Sequence, residues 1–508
     1  MSTVVILNGQ ALTPDHVAAV AHGARVLLAG DARARMEHSA AAYAELPSVL
    51  EQKRRYLVGE ALAPDGDLVS TFILGHCAGV GDPLPSPIVR ALIVCRANVF
   101  ATGYSGVRPA LVEAMLALLN RNITPVVPSQ GSVGAAGDLA PLAHVARVLC
   151  GLGGAVRLPD GTLVESDTSP AYDLPAYAPT HKEALSLING ATLTSALAAI
   201  AVHRAERILD AMEVACAMTM EALRADTRCL SLSAIDARGH GSATLVAARL
   251  AARLAGSTLA VPTGAPDAFS IRAAPAVLGA ARDALTFARD IVLRELNGAC
   301  DNPLWIDGEG VVEAGNFHGA PVALACDVLR IALTSAATQS ERRTYRLTSG
   351  SLTGDLPSFL VEGTGLNSGF MLAQYTAASL ASECKGLSHP ASVDTIPTVQ
   401  HHEDHVSMGP IAGRLTLRVL ECISEIVGIE ALLAAQALDF RRRGLSFPDG
   451  VRTEGPPAVI APGVERARQA VRAVTPYWED DQILHPVLGA VGALVRTGGL
   501  SGKGGEGW

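Results

Sequence analysis

The chain has few aromatic residues: Phe, Trp and Tyr make up 4% of 508 positions, against 49% hydrophobic residues in total. A core short of large rings is built from Ala, Leu and Val, and that composition favours closely packed helices. Basic character is also missing. The net charge is −9, no basic patch is present, and nucleic acid is excluded as an expected partner. The nine cysteines are an odd number, are scattered, and include no C-x-x-C pair. They read as small buried hydrophobes of a reducing compartment, which with the missing leader implies a cytoplasmic protein. The N-terminus has no basic segment followed by a long apolar one, so no secretory signal is read. No uninterrupted apolar run approaches a membrane span, and no internal repeat is found.

What is present centres on Gly131-Ser132-Val133-Gly134-Ala135-Ala136-Gly137-Asp138-Leu139-Ala140-Pro141-Leu142-Ala143-His144. Glycines and small residues open it, then an apolar run suited to a helix follows. The three glycines permit tight bends and close backbone approach. Asp138 is placed to cap or charge a helix start. The G-x-x-G-x-x-G spacing is not a dinucleotide fingerprint, and no P-loop lysine follows. Taken alone, the stretch is a tight loop entering a buried helix.

In chain order, Val4 to Leu7 is expected as a short strand. Thr13 and Pro14 start a helix as cap and first residue. Helix is expected over Ala32 to Tyr56, kinked or split at Pro47, then a loop at Ala61 to Asp67 and a helix over Leu68 to Gly75. Ile88 to Ala101, a segment ending at Asn120, and Leu139 to Leu149 are helical. Gly151 to Pro179 is loop-rich, with strand pieces at Ala155 to Leu158 and Leu163 to Val164. A domain boundary is placed at 183/184, dividing an N-terminal domain, 1–183, from a helical bundle, 184–508. Ala191 to Leu223 is a long helix with one polar stripe at His203, Arg204, Glu206, Arg207, Asp210 and Glu213. Ile411 to Leu438 is another: Arg414, Arg418, Glu421 and Glu425 share a face, and Pro410 suits its start. Long helices with short links imply a bundle. The tail from Gly498 to Trp508 is glycine-rich.

The central stretch resembles the signature of the histidine and aromatic amino acid ammonia-lyases. The resemblance runs in order from about Leu12 to Gln436. It takes in Ser105-Gly106-Val107-Arg108, Leu187-Ile188-Asn189-Gly190, Asp301-Asn302-Pro303-Leu304 and Gly315-Asn316-Phe317-His318-Gly319. It continues through Ser340-Glu341-Arg342-Arg343, Pro390-Ala391-Ser392-Val393-Asp394 and Glu403-Asp404-His405-Val406-Ser407-Met408. The last of these, and His76 in His76-Cys77-Ala78-Gly79-Val80-Gly81, are more similar to the histidine-lyase version than to the plant phenylalanine-lyase one. The resemblance implies a mainly α fold, a fumarase/aspartase-like bundle of long helices with a mixed N-terminal domain. It also implies a homotetramer whose pocket is completed by helices from more than one subunit.

In that family an Ala-Ser-Gly triplet cyclises and dehydrates to a methylidene-imidazolone (MIO), an electron sink for loss of a β-proton and ammonia. Here the triplet is Ala135-Ala136-Gly137. The serine hydroxyl that leaves to form the methylidene is replaced by a methyl, so no MIO and no cofactor are expected. The family places a catalytic tyrosine where Phe269 stands in Asp267-Ala268-Phe269-Ser270-Ile271-Arg272, so a phenolic acid/base group is gone. The family's Tyr-Gly-x-x-Thr-Gly-Phe-Gly loop has only Tyr56-Leu57-Val58-Gly59-Glu60 as a counterpart, and Tyr56 receives no catalytic role.

What remains reads as a pocket for a small-molecule ligand. By resemblance His76, Asn189, Phe269, Arg272, Phe317 and Glu403 line it, with His76 and Glu403 as the candidates for catalysis. Each also has a plainer reading: Asn189 as a cap or bridge between helices, Arg272 in a buried ion pair, Glu403 as a charge at a helix start, Phe317 as core. His401 and His405 have i, i+4 spacing, but no further ligand is evident and no metal site is expected. Asp301-Asn302-Pro303 reads as a helix stop with a structural hydrogen bond. Three functional readings follow. The first is a natural MIO-lacking member acting on an amino-acid-like or acyl small molecule, without ammonia-lyase activity. The second is a non-catalytic binder or scaffold. The third is an ammonia-lyase inactivated by an engineered Ser-to-Ala change. The several altered features favour the first.

Overall fold

A computed structural model describes residues 4–44, 46, 67–166 and 174–503. The kink at Pro47, the loop from Ala61, the Tyr56 segment and the last five residues fall outside that set. The described chain is mainly helical, and its strands form only small sheets of two or three.

The chain divides into two compact units, and neither is continuous in sequence. The first comprises 1–203, 288–327 and 390–414; the second comprises 204–287, 328–389 and 415–508. This differs from the single cut at 183/184. The physical reason is the length of the helices: Thr192–Ala222, Ala274–Leu296, Ala320–Thr348 and Gly409–Arg442 each contribute residues to both units.

In the first unit, Val4–Leu7 pairs in parallel with Arg25–Leu28. Between them runs the helix Pro14–Ala21, where Thr13 Oγ1 accepts the His16 N–H at 3.2 Å and Pro14 takes the first position. The helix expected from Ala32 is Gly30–Ala44. Leu68–Gly75, Ser86–Ala101, Pro109–Asn120 and Leu139–Leu149 follow. The loop-rich part contains the hairpin Gly154–Arg157 with Leu163–Ser166. The helix His181–Ile188 opens with a reciprocal cap. Thr180 Oγ1 accepts from the Glu183 backbone, and Glu183 Oε2 accepts the Thr180 N–H at 2.8 Å. Arg108 donates to the same carboxylate at 2.9 and 2.6 Å, so the Ser105–Arg108 motif is tied to the helix that leads to Asn189. Burial alone would raise the Glu183 carboxyl; the bonds from Arg108 and Thr180 outweigh it and hold it below the usual range.

In the second unit a fully buried pair, Arg343 and Glu430, sits among the long helices. Arg343 donates through Nε at 2.5 Å and Nη2 at 2.8 Å, and Thr219 and Ser340 hydroxyls donate to the same carboxylate. The polar stripe expected on Thr192–Ala222 is sealed at its end in this unit rather than solvated. Asp210 and Glu213 are buried and paired with Arg282 at 2.6 and 2.7 Å. The stripe on Gly409–Arg442 is accessible, and there Arg418 bonds Glu383 at 2.9 Å.

The helix Ala320–Thr348 is long and apolar enough to cross a membrane by length and composition, which qualifies the absence of long apolar runs in the sequence. However, 61% of its most apolar window is buried inside the fold, as in a core helix.

Candidate functional site

The loop 131–138 is fastened at both ends, largely through backbone. On one side, Met408 N–H donates to Val133 O at 2.9 Å and Ser407 Oγ donates to Gly134 O at 3.1 Å. Ala135 packs against Val406 and Met408. On the other side, Gly190 N–H donates to Ala136 O at 3.1 Å, and Asp138 N–H donates to Gly190 O at 2.9 Å. Gly137 lies so close to Gly190 that a Cβ on Gly137 would enter the Gly190 backbone, and its φ is 85°. The motif Leu187–Gly190 is thus the floor of the loop.

Four helices begin around it: Leu139–Leu149, Thr192–Ala222, Ala320–Thr348 and Gly409–Arg442. A Cβ on Gly319 would lie 2.9 Å from Ala191 Cβ and 3.3 Å from Ser407 Oγ, and one on Gly409 would strike the Thr194 side chain. Helix starts carry partial positive charge, and here several of their N–H groups are already taken: Thr192 by Gly190 O, Thr194 by Asp138, Ala320 by His318 Nδ1 and Gly409 by Ser407 Oγ. Asp138 stands just before Leu139, but its side chain makes no bond to that helix. It is fully buried and accepts the Thr194 N–H at 2.8 Å, with Ser132 and Thr194 hydroxyls at 3.2 Å each. The expected cap is therefore real but serves a different helix. Burial raises the Asp138 carboxyl to about 6, against the pull of those donors.

Behind the loop lie two groups that no local pattern announces. Cys300 Sγ accepts the Ala191 N–H at 3.1 Å. Glu295, hydrogen-bonded to Cys300, is raised to about 7 by burial and then by the nearby charge of Asp138. Beneath them Asp301 is paired with Arg96 and Lys182 at 3.4 Å each and accepts from Ser186 Oγ at 2.8 Å. Asp301 is structural, in keeping with its sequence reading.

Asn189 is 2% exposed, and its side-chain Oδ1 has no hydrogen-bond partner among the described residues. Its backbone N–H closes the preceding helix onto Leu185, so the side chain is not the cap. His76 ends the helix Leu68–Gly75; its Nδ1–H donates to Phe72 O at 2.7 Å, and its ring lies 4.5 Å from that of Phe72. The run after it is held against the loop's entry. Val80–Pro83 pairs with Pro128–Gln130, and a Cβ on Gly131 would lie 2.9 Å from Gly79 Cα. Gly79 N–H donates to His144 Nε2 at 3.4 Å, and burial lowers the His144 imidazole.

Glu403 is partly buried and turned onto its own loop, where Oε2 accepts the Thr398 hydroxyl at 2.7 Å. Between those two residues Val399, Gln400 and His401 all have left-handed backbone, φ 47°, 53° and 69°. His401 therefore shares no helix face with His405. Among the described residues no group of three or more His, Cys, Asp or Glu side chains is arranged for a metal ion. Phe317 is partly buried. Its neighbour His318 stacks on His405, ring centroids 5.3 Å apart. His318 Nδ1 accepts the Ala320 N–H at 3.3 Å, which leaves the proton on Nε2, facing His405 O and Nδ1, each at 3.3 Å. The motif containing Phe317 gave the signal for this pair, since both histidines lie in quoted motifs.

Phe269 and Arg272 belong to the second unit. They form the two ends of the short helix Phe269–Arg272. Phe269 is 76% exposed, and the Arg272 guanidinium lies 6.0 Å from its ring. Among the described residues Arg272 is in no buried ion pair; it is exposed and lines an open cavity of about 450 Å³.

A largely helical chain with a glycine loop pinned among four helix starts matches known proteins along its whole length. The sequence model of the aromatic amino acid lyases matches residues 12–473. A histidine ammonia-lyase of Anaeromyxobacter sp. (strain K) is 42% identical, with 98% of this chain and 99% of that protein covered. Among solved structures, histidine ammonia-lyase from Trypanosoma cruzi superposes with a TM-score of 0.86 at 36% identity, covering 99% of this chain and 95% of that one. Tyrosine aminomutase from Streptomyces globisporus gives 0.86 at 32%, covering 98% of each. The chain belongs to the aromatic amino acid lyase family.

Proposed function

We propose that this chain is a family member without the methylidene-imidazolone, one that retains a pocket for an amino-acid-like or acyl small molecule and acts on it by other chemistry. The observation that carries the reading is Asn189. A buried amide oxygen without a partner costs about 1–3 kcal/mol, and a ligand polar group beside the loop offsets that cost. The four helix starts favour a ligand carboxylate there, and the family resemblance assigns a carboxylate to Arg272 as well. Ala136 carries no hydroxyl to expel, so the triplet does not fit the MIO group. Amino acid ammonia-lyase activity is therefore absent.

The working form is a cytoplasmic homotetramer. Large apolar side chains left exposed on the long helices support assembly, among them Leu324, Ile331, Leu372 and Tyr375. The nine free thiols suit a reducing compartment.

The test uses the purified native protein. Intact mass should equal the unmodified chain, and loss of water at residues 135–137 overturns the open-peptide reading. Calorimetry with histidine, tyrosine and 3-phenylpropanoate should find at least one binder whose affinity falls about tenfold or more in Asn189→Ala. No binding by any of the three, or no effect of the variant, overturns the pocket. A monomer by light scattering at micromolar concentration overturns the assembly.

A further inference from the structure

The cavity lined by Arg272 continues past the guanidinium, within the second unit. Its volume, about 450 Å³, falls in the range of small-molecule sites. Ile235 and Pro275 contribute apolar wall. Besides the Cys229 thiol, the side chains of Arg272, Arg238, His240 and Asp283 line it. Asp283 is engaged by the Ser242 hydroxyl. Arg238, His240 and Arg272 form no ion pair among the described residues, although the chain as a whole is acidic, with net charge −9. His240 precedes the helix Gly241–Leu254 and makes no side-chain cap bond to it. An adjoining cavity of about 330 Å³ also reaches Arg272, but its own cation, Arg228, is neutralised by Asp226 at 2.7 Å. In the larger cavity the two guanidiniums of Arg238 and Arg272 thus lack an ion-pair partner among the described residues, and Asp283 is the one carboxylate that lines it with them.

We propose that the ligand is a dicarboxylate with an apolar middle. One carboxylate sits on Arg272, and the second on Arg238 and His240 across the apolar wall. A guanidinium fork matches a carboxylate in shape and charge. The inference rests on Arg272 holding a ligand carboxylate, as in the function proposed above.

Adipate and hexanoate separate the two claims, because they share a chain length and differ in the second carboxylate. Calorimetry on the native assembly should give adipate an affinity about tenfold higher than hexanoate. Arg238→Gln and His240→Gln should each reduce that preference and leave hexanoate binding unchanged. Both side chains are exposed, so neither variant disturbs the core. Equal affinity for the two acids, with both weakened in Arg272→Gln, overturns the second carboxylate site and leaves the underlying reading intact. An adipate preference that survives both variants also overturns the second site. Affinities unchanged in Arg272→Gln overturn the underlying reading, and failure of both acids to bind overturns both.

Discussion

Asp138 begins one helix and caps another: its Oδ2 accepts the N–H of Thr194, 56 residues further along the chain, at 2.8 Å. Thr194 is the third residue of Thr192–Ala222, so the carboxylate satisfies one of that helix's orphan donors while staying fully buried.

Titration of Asp138 gives the first prediction. Its folded value is about 6, above the ordinary carboxylate value of about 3.9. Between about pH 4 and 6 the folded chain holds this proton while the unfolded chain has released it. The stability from this group is therefore full below about pH 4, declines as pH rises to about 6, and is level above. Asp138→Asn keeps an acceptor for Thr194 and removes the titration. Its unfolding free energy relative to the parent should shift by about 3 kcal/mol in its favour across that window. Denaturant titrations at several pH values check it; a difference that does not vary with pH rules it out.

Gly137 and Gly161 have nearly the same φ, 85° and 87°, in different surroundings. A Cβ on Gly161 meets nothing within 4 Å, whereas one on Gly137 enters the backbone of Gly190. Gly161→Ala should cost about 1–2 kcal/mol, the left-handed strain alone. Gly137→Ala adds an overlap that only movement of the loop relieves, and should cost several kcal/mol more or yield no folded protein. Melting temperatures and soluble yields of the two variants compare them directly; equal effects would show that the close approach carries no weight.

Returning the serine should not return a lyase. Ala136→Ser supplies the leaving hydroxyl, but Phe269 exchanges no proton. Losing one positioned acid/base group costs about a hundred- to ten-thousand-fold. Ala136→Ser should be nearly inactive on histidine, tyrosine and phenylalanine, and adding Phe269→Tyr should help only slightly. Ultraviolet absorbance of the unsaturated acid follows the reaction. Turnover by the parent or the single variant on the order of one per second would overturn the reading.

The Arg343–Glu430 pair should be sensitive to partial removal. Glu430→Gln leaves a fully buried guanidinium without its counter-charge, at a cost of about 3–5 kcal/mol. Replacing both residues, Arg343→Met with Glu430→Met, should recover most of that. A double variant as unstable as the single one would mean that packing, not charge, fixes the pair.

Much of this was legible in the sequence because it is local. Leu68–Gly75 and Leu139–Leu149 have the expected bounds, and the Thr13 cap follows from the first-turn residues alone. The ordered motifs carried the family and hence the fold. The parts that could not be read depend on partners distant in sequence. Asp138 sits in a sequence position that suits its own helix, yet bonds another because burial places Thr194 nearer. Glu295 and Cys300 belong to no pattern, and only the fold brings them behind the loop. The polar stripe on Thr192–Ala222 is correctly periodic, but periodicity does not tell a solvated face from one sealed by Arg282. The same limit applies to Glu403, whose carboxylate is taken by Thr398 through three left-handed residues that nothing in Val399-Gln400-His401 announces.

The fastenings of the loop have a consequence for how such a protein changes over time. At position 136 the carbonyl is held by Gly190, while Asp138, Ser407 and Met408 hold the rest. None of those bonds passes through the residue 136 side chain. The residue 136 side chain can therefore change without breaking any of the hydrogen bonds that hold the loop.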